Sequence, residues 1–413
     1  MNEVSIALLV AGCGALFFVG HLLEEVFRRW RIPDVLPLVL IGALAGPVFG
    51  WLQVAPDGTP LRLFAHIALI LILFHGGYEL RAEDLRTGAL HAVSRAMLLM
   101  ILSGGAAGLI AWSVAGLSPA LSALFALAVA PVAATVAIPM LEHLGLGRAV
   151  RSAITIETAL GDVISLVAVL ALTGVLTGKG AGVGPAIGGF VSSLLLASAL
   201  GLGCALAWSL ILGRIQTLAK TAFATEAALL LVAGTASWLG YSDAIAALAF
   251  GFALQNLDLL PAPFLARRRL SPTGLSDLEQ RLLAEAVFIV KVFYFLLLGA
   301  QLRFGDANLW IAAAAGVLAI GLVRQLWYRL LPDKTTPRHD RAVAAWMIPR
   351  GLATAVAAGI PAAAGIAGAE PLRALAYAFI PLSVLVTALG VATAGKPPAA
   401  GTDGITPQSS PGP

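Results

Sequence analysis

Apolar residues run through this chain in long blocks separated by short polar connections. A block of about 20 apolar residues, at 1.5 Å rise per residue, has the length of a membrane-spanning helix. Measured this way, the sequence predicts thirteen spans, at about 4–27, 33–51, 61–80, 87–114, 119–141, 149–177, 183–213, 218–239, 242–255, 276–302, 308–331, 341–365 and 372–395. The ninth is short and the seventh long. The fold class expected is an all-α polytopic membrane protein. The longest connection, about 256–277, holds Pro261, Pro263, the run Arg267-Arg268-Arg269 and Pro272. The tail, 396–413, is rich in Pro, Gly and Ser and reads as disordered. The first span ends in Glu24, Glu25, Arg28 and Arg29 with no small-residue cleavage site, so it reads as a span and not a cleaved leader.

Composition supports the membrane reading. Hydrophobic residues make up 59% of the chain and charged residues 12%, with a mean hydropathy of +0.92. A soluble domain carries about 25% charged residues, so a soluble globule is excluded. The net charge of +4 does not point to nucleic acid, because in a membrane protein Lys and Arg mark the cytoplasmic loops. Taken in alternate loops, seventeen basic residues fall on one side, including Arg28, Arg86, Arg148, Arg214 and Arg338. Only Arg62, Lys179, Arg303 and Arg373 fall on the other. This asymmetry places the N-terminus outside and the C-terminus in the cytoplasm. Cys13 and Cys204 lie in apolar runs and define neither a disulfide framework nor a metal site.

Charges inside spans are the candidates for function. A charge at the bilayer centre costs about 2.5–3.5 kcal/mol on insertion scales, so it is kept where it pairs, lines water or carries substrate. Arg95 and Arg281 lie near span ends and can snorkel. Lys291, Arg324 and Arg350 are deeper, as are Glu157 and Asp162 in the sixth span; Glu226 and Asp243 lie in the eighth and ninth.

Two spans are interrupted. The fifth carries Ala130-Pro131, and Pro131 removes a backbone donor in mid-membrane. The twelfth carries Pro349-Arg350-Gly351, then Pro361. They lie seven spans apart, as they would if spans 1–6 and 8–13 were inverted repeats. Paired interrupted spans in matching halves point to a transporter midplane site, whereas a single proline would mark no more than a kink.

The sixth span combines Thr155, Glu157, Thr158 and Asp162. Glu157 and Asp162 are separated by about 140° around a helix of 3.6 residues per turn, so they face different neighbours. One carboxylate is then expected to pair with a fixed base and the other to face an aqueous funnel. Burial favours a neutral carboxyl group and a nearby cation favours the charged one. A single Asp under both influences holds either a proton or a small cation, which is the minimum chemistry of antiport. Thr158 lies one turn before Asp162 and offers a hydroxyl beside it.

At these residues the chain resembles the monovalent cation/proton antiporter superfamily, the sodium/proton exchangers. Arg31-Ile32-Pro33-Asp34-Val35 through Gly46-Pro47, Phe74-His75-Gly76-Gly77-Tyr78-Glu79-Leu80 with Leu85-Arg86, Glu157-Thr158-Ala159-Leu160-Gly161-Asp162, Phe293 to Gly299 and Arg350-Gly351 are similar to family segments in order along nearly the whole chain. The resemblance implies a homodimer of thirteen-helix protomers in the bacterial inner membrane, without a cofactor or nucleic-acid partner. It implies one transmembrane unit, 1–395, with a scaffold at about 1–80 and 183–302 and a mobile core at about 87–177 and 308–395. The core would move as an elevator carrying the ion. Asp162 would bind cation and proton, assisted by Thr158 and Thr135. Glu157 would be a structural acid paired with Arg324 or Arg350. Ala130, Pro131, Pro349 and Gly351 would form the helix breaks. Sodium is the first cation implied, with potassium and lithium open, and the single carboxylate implies electroneutral exchange.

The chain departs from the exchanger pattern in three places. The family's Thr-Asp-Pro is Val129-Ala130-Pro131 here, and its Asn before the key Asp is Gly161. Thr135, Thr158 and backbone carbonyls freed at the break are the expected substitutes. Two rival readings are a channel or other ion-coupled carrier on the same fold, and an intramembrane aspartyl protease using Asp162 and Asp243. Ala159-Leu160-Gly161-Asp162 lacks the protease's first glycine, and the arginines would have no role in it.

Overall fold

A computed structural model describes residues 11, 14–15, 18–22, 35–52, 66–67, 70–71, 73–78, 81–82, 89–177, 183–215, 223–257, 274–331 and 336–394. The Arg267-Arg268-Arg269 connection, the tail, Arg31 to Asp34, Glu79-Leu80 and Leu85-Arg86 lie outside them. The described chain is helical, with no strand among the described residues. Its elements are α1 (Val35–Ala43), running into a π-helical turn at Leu44–Val48, α2 (Ala89–Ser113), α3 (Pro119–Val129), α4 (Ala134–His143), α5 (Arg148–Leu176), α6 (Val183–Ile215), α7 (Ala224–Trp238), α8 (Asp243–Gln255), α9 (Asp277–Ala300), α10 (Ala307–Leu330), α11 (Arg338–Trp346), α12 (Leu352–Ala363) and α13 (Ala369–Thr393). A helical segment over 73–78 lies between α1 and α2.

Helix starts follow local chemistry. Ser118 accepts a hydrogen bond from the Leu121 N–H, with Pro119 at the first helical position of α3. Ser276 and Glu279 form a reciprocal capping box on α9, and Asp306 caps α10 through the Leu309 N–H. Among the described residues, six helices are long and apolar enough to cross a membrane. Large apolar side chains such as Ile101, Leu195, Leu231, Leu318 and Leu322 stand on the outer surface, as lipid-facing helices require. The chain is a multi-pass membrane protein.

One set of helices packs chiefly within itself: α2, α3, α4 and α5 assemble with α10, α11, α12 and α13. Around it, α6 packs with α7 and α8, and α1 with α9. These outer helices touch the first set where α5 meets α6, α1 meets α13 and α9 meets α12. Close approach rests on glycine. A Cβ on Gly42 of α1 would run into the Leu296 carbonyl of α9, and one on Gly299 into the Val39 carbonyl. The second crossing, of the 73–78 segment with α8, has the same construction: Gly77 lies on the Leu248 carbonyl and Gly251 on the Phe74 carbonyl. With no water to drive apolar association in lipid, such close backbone packing supplies much of the attraction.

Candidate functional site

Both interrupted spans cross in the first set of helices. Between α3 and α4, Ala130–Ala133 are not helical, and between α11 and α12 neither are Met347–Gly351. A break strands backbone groups that a continuous helix would satisfy. The two breaks satisfy one another: the Ala133 N–H donates to the Pro349 carbonyl at 2.9 Å. Arg350 does most of the rest. Its Nε donates to the Val129 carbonyl at 2.5 Å, Nη2 to the Ala130 carbonyl at 3.2 Å and Nη1 to the Ile348 carbonyl at 2.8 Å. Its backbone N–H donates to Ser383 Oγ of α13 at 2.9 Å. The side chain is fully buried. A guanidinium carries five N–H donors in a fixed fork, which suits a nest of carbonyls better than any other side chain.

Asp162 comes to this crossing from α5. It is buried, and its Oδ2 accepts from the N–H of Ala134, the first residue of α4, at 3.5 Å. A helix N-terminus carries partial positive charge and favours an anion. The Asp162 Oδ1 is buried with no hydrogen-bond partner among the described residues. Thr158, one turn earlier and fully buried, donates its hydroxyl hydrogen to the Thr155 carbonyl at 2.9 Å, which leaves its oxygen lone pairs as acceptors. Ser165, one turn later, donates to the Leu127 carbonyl of α3 at 2.6 Å. Thr135 is in the first turn of α4; its side chain lies outside what is described.

Glu157 faces another way. Arg324 of α10 grips it through both terminal guanidinium nitrogens, at 2.5 and 3.3 Å. Arg324 Nη2 also donates to the Ala344 carbonyl of α11 at 3.1 Å, and the Tyr328 ring lies 5.9 Å from the guanidinium carbon. The sequence left open which arginine takes Glu157; the structure gives it Arg324 and sends Arg350 to the helix breaks.

Packing is close at two of the departures. A Cβ at Gly161 would stand 3.0 Å from the Pro131 Cβ, so a side chain there would crowd the break. Ala130 lies against Gly104 of α2, 2.9 Å from where a Cβ on that glycine would be. Of the carbonyls freed at the break, those of Val129 and Ala130 each accept one N–H from Arg350, and each keeps a second lone pair.

The remaining candidates lie elsewhere. Asp243 contacts His66, and Lys291 lies 5.5 Å from the Phe288 ring centre. Glu226 is buried in the first turn of α7. The sequence reading passed over Ser165 and Ser383, two hydroxyls in apolar runs, and Asp340. The Asp340 carboxylate accepts the Gly147 N–H at 2.9 Å and ties the start of α5 to α11. A small polar residue within an apolar span was the one available signal for the serines.

The chain as a whole has known relatives. The family described as "Sodium/hydrogen exchanger, transmembrane" matches residues 14–397, and the chain belongs to that family, a family of transporters. Among curated relatives, the K(+)/H(+) antiporter NhaP2 of Shewanella oneidensis is 24% identical over 387 residues, covering 92% of this chain and 65% of the relative. NhaP2 of Shewanella baltica is 24% identical over 389 residues, covering 92% and 64%. The chain thus spans a little under two thirds of the length of these relatives. Among solved structures, the sodium proton antiporter MjNhaP1 from Methanocaldococcus jannaschii at pH 8 superposes with a TM-score of 0.72 at 21% identity, over 95% of this chain and all of that one. The fold is therefore that of a sodium/proton antiporter.

Proposed function

We propose that the chain is a secondary antiporter exchanging protons for a monovalent cation, sodium or potassium, with Asp162 as the site the two share. The observation that carries this reading is the setting of Asp162. It is buried at the crossing of two broken helices, with one oxygen toward a helix N-terminus and the other without a partner among the described residues. A carboxylate so placed accepts a proton or a cation in turn. The relatives' names include both potassium and sodium, and the proposal covers both.

The transport step is an elevator movement of the core, about 87–177 and 308–395, against the scaffold, about 1–80 and 183–302. Support comes from the core helices, which pack chiefly among themselves. Further support comes from the crossing: Ala133–Pro349 and Arg350 bind the two breaks to each other, so they would travel together. Thirteen spans in two inverted repeats are supported by the matched breaks and by the two glycine crossings of the same construction. A homodimer in a bacterial inner membrane, N-terminus outside and C-terminus in the cytoplasm, completes the proposal. The exposed apolar positions of α6, such as Val191, Leu195 and Leu202, suit lipid or a second copy.

One carboxylate at the crossing supports one proton per cation. The test is a proteoliposome assay with a pH dye inside, pulsed with Na⁺, K⁺ and Li⁺ while a potassium-independent voltage probe follows membrane potential. Proton movement driven by Na⁺ or K⁺ without a change in potential is the expected result. Current without proton movement would replace the antiporter with a channel.

A further inference from the structure

A second polar site lies away from Asp162, at the end of the bundle that the charge count assigns to the outside. A cavity of about 200 Å³ opens between the end of α9 and the first turns of α13, and its polar lining is Gln301, Arg303, Glu370, Arg373 and Tyr377. Glu370 and Arg373 belong to the core set of helices; Gln301 and Arg303 follow the scaffold helix α9.

The charges in the lining are unequal. Glu370 Oε2 is approached by both guanidiniums, Arg373 at 2.9 Å and Arg303 at 3.6 Å. Two cations thus share one carboxylate oxygen. Arg373 is largely buried, whereas the Arg303 side chain is 60% exposed on the rim. Beside them α13 begins at Gly368, which provides no side-chain cap, so the helix N-terminus adds partial positive charge at the same end. The lining therefore favours an anion, and arginine forks fit phosphate oxygens.

The surroundings indicate where that anion comes from. Phe304, next to Arg303, is 51% exposed. It stacks on Trp310 with ring centres 5.4 Å apart and planes within 2°. The Trp310 indole N–H donates to the Arg303 carbonyl at 2.9 Å, which fixes the aromatic pair beside the cavity. Exposed aromatics of this kind sit at the level of lipid headgroups. We propose that the cavity binds the phosphate group of an anionic phospholipid, with its glycerol end against Phe304 and Trp310. A lipid held there bridges α9 to α13, across the boundary between scaffold and core.

Thermal melting of the purified protein in detergent tests this independently of transport. Wild type, Arg303→Ala and Phe304→Ala are melted with phosphatidylglycerol, phosphatidylcholine or inorganic phosphate. Arg303 is exposed, so its replacement leaves the fold intact. Phosphatidylglycerol is expected to raise the wild-type midpoint by about 5 °C, and to raise either variant by less than half as much, while the other two additives leave all three unchanged. If inorganic phosphate alone reproduces the shift, the occupant is a free anion and the lipid assignment fails. If phosphatidylglycerol shifts all three proteins equally, or none of them, the site itself is refuted.

Discussion

The guanidinium of Arg350 rests on the carbonyl oxygen of Val129, 2.5 Å away, where two broken helices cross. The residues are far apart in sequence, on the twelfth and fifth predicted spans. The contact explains how a helix can be interrupted in mid-membrane without leaving its carbonyl oxygens bare.

Replacing Arg350 should therefore unsettle the crossing. Arg350→Gln would leave at least one of the three buried carbonyls unsatisfied, since an amide has two N–H donors, and each such group costs about 1–3 kcal/mol. The expected outcome is a melting midpoint at least several degrees lower and no measurable transport. Arg350→Lys should be intermediate, because an ammonium has three donors but no planar fork. Equal stability of the wild type and the Gln variant would mean that the carbonyls find other partners.

The Glu157–Arg324 pair gives a prediction about ion pairs in the core. Removing one partner from a buried pair costs about 3–5 kcal/mol, because the other charge is left uncompensated, while apolar replacement of both is often close to neutral. Glu157→Gln and Arg324→Met should each lower the melting temperature strongly. Glu157→Leu combined with Arg324→Met should recover much of the loss, giving a non-additive cycle. Additive losses would show that the two residues do not act as a pair.

The glycine crossings predict a sharp contrast. Gly299→Ala places a methyl group on the Val39 carbonyl, so α1 and α9 must separate; overpacking of this kind costs about 1–3 kcal/mol. Gly105→Ala on α2 meets nothing within 4 Å and should be neutral or stabilising, since alanine is the better helix former by about 0.5–1 kcal/mol. Thermal melting of the two variants side by side checks this.

How much of this could be read from the sequence depended on distance along the chain. Apolar run length alone predicted the bounds of α6 and α8 to within a few residues, and Pro131 and Pro349 marked the places where α3 and α11 stop. The 140° separation of Glu157 and Asp162 required different neighbours for them. The identity of those neighbours was out of reach, because Arg324 and Arg350 lie more than a hundred residues away and either could reach Glu157. The meaning of Gly161 was hidden for a similar reason. It reads as a lost amide in sequence, and only the closeness of Pro131 gives it a packing role.

Sharing of Asp162 predicts competition. If proton and cation occupy the same carboxylate, then over the acidic range the apparent KM for the cation should rise about tenfold for each unit fall in pH, with the maximal rate little changed at saturating cation. Initial rates across a pH series in proteoliposomes would show it. An apparent KM independent of pH would place proton and cation at separate groups.

The most direct measurement compares wild type with Asp162→Asn in sealed proteoliposomes containing a pH dye. Asparagine keeps the size of the side chain and removes its charge and its proton. Cation-driven proton movement is expected in the wild type and none in Asp162→Asn, with similar melting temperatures for both. Exchange by Asp162→Asn at the wild-type rate would contradict this role of Asp162.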